Sequence, residues 1–195
     1  MAKARSEMIA ETRAKLVAAA RHAFGTVGYA NASMDDFTAG AGLTRGALYH
    51  HFGDKKGLLQ AVIQQIDAEM TARLHKVSAK APTRWQAFVD ECVAYIEMAV
   101  EPEIQRILFR DGTAVLGDIS QWPSTNGCIQ ALADALRQLQ TDGEIGADID
   151  IDVTARLING ASAHAALWIA NSDDPQATSK RAVEGFRTLL ERLKT

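Results

Sequence analysis

The sequence predicts an all-α protein: an N-terminal three-helix unit of the helix-turn-helix type, joined through a long helix to a helical C-terminal body. Three observations carry this. Nearly half of the 195 residues are apolar, only four are proline, and long stretches are rich in Ala, Leu, Ile, Val and Gln, a composition that favours helices over strands. Apolar residues recur at helical spacing along almost the whole chain. Two short predicted helices near the N-terminus flank a tight Gly turn.

The first helix is expected from about Glu7 to Thr26, with Ile9, Leu16, Val17, Ala20 and Phe24 on one face and Gly28 as its stop. Tyr29 is expected to pack down against it. Ser33 opens a second helix: Ser33 and Asp36 have capping-box spacing, and Asp35 adds negative charge at the positive helix end. It ends near Ala41, and Gly40 within it costs about 1 kcal/mol relative to Ala. After Gly42 and Leu43, Thr44 caps a third short helix that reaches His51. Gly53-Asp54 breaks it, and a long fourth helix runs from Lys55 to about Lys80. A fifth spans Thr83 to Val100. Pro102 starts a segment that loosens around Asp111-Gly112 and Gly117. Pro123 opens a helix to Thr141, and residues 142–146 form a loop. A helix from Asp152 to about Asn171 and a last one from Pro175 to Leu193 complete the chain. There is no internal repeat, no low-complexity tract and no convincing strand. The division falls at the fourth helix, with residues 1–56 as the head and 57–195 as the body.

Charge follows the same division. Residues 1–56 hold eight Lys and Arg against five acids, while residues 57–195 hold thirteen against nineteen. A basic head on an acidic body can bind a polyanion locally although the whole chain carries −3. Cys92 and Cys128 make no disulfide framework and read as small apolar residues of a reducing compartment. With no apolar signal segment and no window approaching a membrane span, a cytoplasmic location is expected.

The third helix must bury one face and offer the other to a DNA major groove. Leu43, Leu48 and Phe52 supply the buried face; Thr44, Arg45, Ala47, Tyr49 and His50 face outward. Arg can make two hydrogen bonds to guanine, Ala can touch a thymine methyl, and Thr and Tyr hydroxyls can donate to phosphate. Gly46 lets the backbone approach DNA. Lys55, in the first turn of the next helix, can meet a phosphate together with the positive helix end.

The run from Leu16 to Leu59 resembles the TetR family of bacterial transcriptional regulators. It includes Ala19, Ala20, Phe24, Gly28-Tyr29, Ser33, Phe37, Gly42-Leu43-Thr44, Gly46, Leu48-Tyr49, Phe52, Lys55 and Leu58-Leu59, and the stretch LTRGALYHHFGDKKGLL is the most diagnostic part. Thr38 and Gly40 depart from the small helix formers usual there. The resemblance implies that Thr44, Arg45, Gly46, Ala47, Tyr49 and His50 face DNA, that His51 and Lys55 touch phosphates, and that the body binds a ligand and makes a homodimer through the last two helices.

In the body, Trp85, Phe88, Cys92, Tyr95 and Ala99 fall on one helical face, and Ile107, Leu108, Phe109, Trp122, His164 and Trp168 come from other segments. An apolar cavity with a few polar groups suits a small hydrophobic or aromatic effector. Trp85, Phe88, Cys92, Phe109, Trp122, Asn159, His164 and Trp168 are the candidate ligand residues, with His164 or Asn159 as the orienting hydrogen-bond partner. An aromatic stripe at helical spacing is more often plain core, and that reading stands beside the ligand site.

The implied function is a ligand-responsive regulator, a repressor released from an inverted-repeat operator by that effector. Two other classes compete: a small-molecule enzyme and a thiol-based redox sensor using Cys92 and Cys128. No HExxH, CxxC, GxxxxGK[ST] or GxSxG occurs, so no enzyme activity, metal or cofactor is expected. Asp111, Asp118 and His164 could form a metal or acid–base cluster, but their spacing specifies nothing.

Overall fold

The computed structural model describes residues 2–195, with only the backbone described for residues 2–6, 40 and 41. It consists of ten α-helices linked by short turns, one π-helical segment and one 3₁₀ turn, without a strand among the described residues. One isolated antiparallel bridge joins Ile145 to Lys194 near the C-terminus.

Helix α1 spans Ala2–Val27 and starts earlier than its apolar pattern predicts. Helix α2, Met34–Ala41, starts with the expected capping box: the Ser33 hydroxyl accepts from Asp36 N–H, and the Asp36 carboxylate accepts from Ser33 N–H. Its backbone remains helical through Gly40. Gly42 closes it at φ 64°, in the left-handed region that favours glycine, and this single turn sets the angle at which α3 leaves.

Helix α3, Arg45–Phe52, buries Leu48 fully and rests on Leu43 and Phe52, each half-buried. Phe24 and Phe37 meet edge to face at 5.3 Å, and Tyr29 lies 5.5 Å from Phe24, so Tyr29 does pack onto α1. Leu16, Ala20, Leu58 and Leu59 fill the rest of this small core.

Helix α4, Lys55–Ser78, belongs to both parts of the molecule. Its first turns pack on α1 and α3, and Val62, Ile63, Ile66 and Met70 continue into the core of the body. Helix α5, Arg84–Met98, packs along α4. Next come α6 (Pro102–Ile104), a π-helix (Gln105–Gly112) and α7 (Thr113–Leu116). The sequence predicts a loosening here, and the chain meets it by widening the helix. After a 3₁₀ turn, Ile119–Gln121, helices α8 (Pro123–Thr141), α9 (Ile151–Ala170) and α10 (Pro175–Glu191) complete the body. One continuous apolar core runs from Leu16 to Leu190.

Candidate nucleic-acid interface and effector body

Helix α3 meets both demands on a reading helix. Leu48 anchors it, while Thr44, Arg45, Gly46, Tyr49 and His50 are exposed and Ala47 and His51 are half-buried. Tyr49 keeps 53% of its surface open, a large aromatic face with no cover in the monomer. Thr44 is already engaged, since its hydroxyl accepts from Ala47 N–H at 3.3 Å. His51 sits between His50 and Phe52, with ring centroids at 5.5 and 6.0 Å.

Arg45 forms a two-pronged ion pair with Asp35 of α2, and both residues are exposed. The hydrogen bonds from Arg45 hold the Asp35 carboxyl below the ordinary aspartate range. Arg45 is therefore held on the surface by a neighbouring carboxylate. An exposed pair of this kind is weak enough to exchange.

Lys55 is placed less openly than its position in the motif implies. Its ammonium lies 4.4 Å from the centre of the Tyr29 ring and 3.5 Å from the Ala30 carbonyl oxygen. Burial pushes its ammonium below the usual lysine value, while the Asp111 carboxylate works the other way.

Polar links made by three side chains, Asp111, Arg106 and Arg21, clamp the head to the body. Tyr29 N–H donates to Asp111 Oδ2 at 2.7 Å. Arg106 donates to the carbonyls of Gly25 and Thr26 at 3.0 and 2.6 Å, closing the C-terminal turn of α1. Arg21 donates to Glu103 at 2.8 and 2.9 Å and to Glu69 at 2.7 Å. At the other side of the π-helix, Arg110 Nε donates to the Ala170 carbonyl at the end of α9, at 2.8 Å. The π-helix thus touches both the head and the C-terminus of α9. No local pattern announces these residues, because each link joins positions far apart in the chain.

The candidate ligand residues divide into two groups. Trp85, Phe88, Cys92, Phe109 and Trp122 are buried, each at most 7% exposed. Trp85 N–H donates to Glu191 at 3.2 Å, and Tyr95 meets Phe109 edge to face at 6.5 Å. Burial pushes the Cys92 thiol up to about 12, which opposes thiolate formation and a sensor role for it. Cys128 is exposed, and its thiol is also raised.

Asn159 is half-buried, but His164 and Trp168 face outward from α9 and do not join the aromatic core. The physical reason is helical period. Ala155, Ile158, Ser162, Ala166 and Ile169 take the inner face, which leaves Val153, Leu157, Gly160, His164 and Trp168 on the opposite one. A helix apolar nearly all round does not show from its sequence which face turns inward. A surface groove on α10, bordered by Glu184, Arg187, Thr188, Glu191 and Arg192, includes none of the candidate residues.

Asp111, Asp118 and His164 are not a cluster. Asp111 bonds Tyr29, Asp118 accepts from Ser120 N–H at 2.9 Å, and His164 is exposed on α9. Among the described residues no three His, Cys, Asp or Glu side chains gather as a metal site, and no helix is long and apolar enough to cross a membrane.

Comparison with known proteins matches both parts of the chain. Residues 16–62 match the family described as bacterial regulatory proteins, tetR family, and residues 85–193 match the tetracyclin repressor-like C-terminal domain. The chain is 29% identical over 156 residues to the HTH-type transcriptional regulator UidR of Escherichia coli K12, covering 75% of this chain and 76% of that protein. To the HTH-type transcriptional regulator SrpR of Pseudomonas putida it is 27% identical over 187 residues, covering 92% and 85%. A crystal structure of a TetR-family transcriptional regulator from Pectobacterium atrosepticum is 48% identical, superposes with a TM-score of 0.89, and is covered over 97% of both chains.

Proposed function

The chain belongs to the TetR family of bacterial transcriptional regulators, and from that premise we propose that it is a homodimeric repressor released from an inverted-repeat operator by a small hydrophobic effector. It is a ligand-responsive, DNA-binding regulator. The observation that carries the DNA reading is the outer face of α3, where Arg45, Tyr49 and His50 stand exposed on a helix pinned from behind by Leu48. Thr44, Gly46 and Ala47 add the close-approach surface, and His51 and Lys55 the phosphate contacts. The head is assigned to residues 1–56, and the ligand-binding and dimerisation body to residues 57–195.

Dimerisation is assigned to the outer faces of α9 and α10. Leu157 is 68% exposed, Leu189 64%, Val153 51% and Trp168 45%. Exposed apolar side chains of this size on adjacent helices mark an association surface. Nothing lies within 4 Å of a Cβ built at Gly160 or Gly185, which leaves room for a second helix to approach. A two-fold axis through this face sets two α3 helices against successive major grooves.

Effector control is assigned to the core around Phe88, Cys92, Phe109 and Trp122. A molecule entering there displaces the π-helix, which carries Asp111 and Arg106 against the head and Arg110 against α9. A ligand that binds one head spacing better than the other shifts the population toward it.

The experiment is a titration of the purified chain against the intergenic DNA beside its own gene, with and without a panel of small aromatic compounds. Saturable binding at one inverted repeat, weakened by a compound that also changes tryptophan fluorescence, is the expected result. Absence of site-specific binding overturns the reading.

A further inference from the structure

This inference rests on the reading that α3 enters a DNA major groove. We propose that Asp35 is a positioning residue for base reading: it holds Arg45 with one edge of the guanidinium free, so that the pair reads one guanine in each half-site.

Asp35 is the second residue of α2 and Arg45 the first of α3, so the pair spans the turn between the two helices. The cap of α2 does not need this carboxylate, because Ser33 and Asp36 already close it. Nε of Arg45 donates to Oδ1 of Asp35, and Nη2 donates to Oδ2. Among the described residues neither side chain makes another hydrogen bond. The two side chains stay 62% and 63% exposed, so the outer edge of the fork is uncovered.

Arginine carries five N–H donors in a planar fork. The side-on pairing with Asp35 uses Nε–H and one hydrogen of Nη2. The second Nη2 hydrogen and both Nη1 hydrogens are left. One from each nitrogen makes a parallel pair at the end of the fork. That pair matches N7 and O6 of guanine, which lie side by side on its major-groove edge. Adenine offers N7 beside an amino donor and cannot accept both. The first residues of a reading helix are those that meet base edges, and Arg45 opens α3.

The carboxylate also changes what Arg45 seeks. An unpaired arginine is drawn to any phosphate, a contact without sequence information. The Asp35 charge offsets that attraction, while the end of the fork keeps its donors. Those hydrogen bonds hold the Asp35 carboxyl below the ordinary aspartate range, so it stays ionised at neutral pH. In open solvent the pair is weak. In a groove cleared of water the same hydrogen bonds strengthen. The competing role for Asp35 is structural: an acid in the first turn of α2 steadies the positive helix end.

The test is selection from a pool of random duplex DNA by the full chain as wild type, Asp35→Asn, Arg45→Ala and the double variant. The wild type is expected to enrich an inverted repeat with one guanine per half-site whose preference falls in Arg45→Ala. Asp35→Asn is expected to lose about tenfold of the preference for that same guanine and to leave the other positions as they are. It is also expected to bind random duplex more tightly, with a salt dependence steeper by about one counterion. In the Arg45→Ala background, Asp35→Asn is expected to change no base preference. Replacing that guanine by 7-deazaguanine in the enriched duplex is expected to weaken the wild type about tenfold and Asp35→Asn much less. Unchanged or sharper preference for the guanine in Asp35→Asn overturns the proposal and leaves Asp35 a mere competitor for Arg45. Equal blurring of every position also overturns it, in favour of the structural role. Enrichment of no sequence by the wild type defeats the regulator reading instead, and this proposal with it.

Discussion

The main-chain N–H of Tyr29 donates to Oδ2 of Asp111 at 2.7 Å, joining residues 82 positions apart at the seam between head and body. The same Tyr29 ring carries the Lys55 ammonium at 4.4 Å. One side chain of the π-helix therefore fixes a turn of the head and, through that turn, the resting place of a candidate phosphate contact. Removing the acceptor leaves a half-buried N–H unpaired, at a cost of about 1–3 kcal/mol. Asp111→Ala is expected to lower stability by that amount in a denaturant titration and to speed hydrogen exchange at the Tyr29 amide. Asp111→Asn, which keeps an oxygen acceptor, is expected to lose less. Unchanged exchange at Tyr29 in Asp111→Ala would show that the link does not hold the seam.

Asp35 restrains Arg45 in the free protein. Arg45→Ala is expected to weaken operator binding by about tenfold to a hundredfold and to relax base preference. Asp35→Asn removes a charge facing the phosphates, so it is expected to tighten binding to random DNA. Lys55→Ala is expected to weaken operator and random DNA alike and to flatten the salt dependence. A salt titration of the three variants checks this, and unchanged affinity in Arg45→Ala would misplace the reading helix.

The head was the most legible part of the sequence, because its signals are local. Ser33 and Asp36 cap each other three residues apart, Gly42 needs its left-handed turn, and Leu48 sets the inner face of α3. The body was legible as helices but not in their orientation. His164 and Trp168 read as inward residues because α9 is apolar on both sides, and only packing against α8 and α10 decides which side closes. The clamps at Arg21, Arg106 and Asp111 depend on partners distant in sequence, so no spacing rule reveals them.

That orientation also decides where assembly is tested. Phe186 and Leu190, on α10, are 5% and 2% exposed and belong to the core of each protomer, so charging them is expected to unfold the body. Leu157 and Leu189 are open to a partner. Burying such a side chain in a dimer contributes about 1.5–3 kcal/mol. The pair Leu157→Glu and Leu189→Glu is expected to sediment as a folded monomer with unchanged helical circular dichroism. A dimer that survives both changes places the interface elsewhere.

The half-buried carboxylate of Asp67 makes a prediction about pH. Burial raises the folded-state value of Asp67 above its unfolded value. The contribution of this group to stability is therefore complete below the unfolded value and is lost as pH rises through the folded one. Asp67→Asn cannot ionise, so its melting temperature is expected to gain on that of the wild type as pH rises above the ordinary aspartate value of about 4. The gain is expected to vanish in more acid solution. A difference that stays constant with pH would mean that Asp67 ionises as freely folded as unfolded.

The most direct measurement of the central claim is selection of bound sequences from a pool of random duplex DNA by the full-length chain, repeated with Arg45→Ala and with the monomeric Leu157→Glu, Leu189→Glu protein. The account predicts enrichment of one inverted repeat by the wild type, a blurred base preference at matching positions in both half-sites for Arg45→Ala, and no enrichment for the monomer. Enrichment of a single, non-repeated half-site by the wild type, or of no sequence at all, would contradict a two-fold regulator that reads DNA through α3.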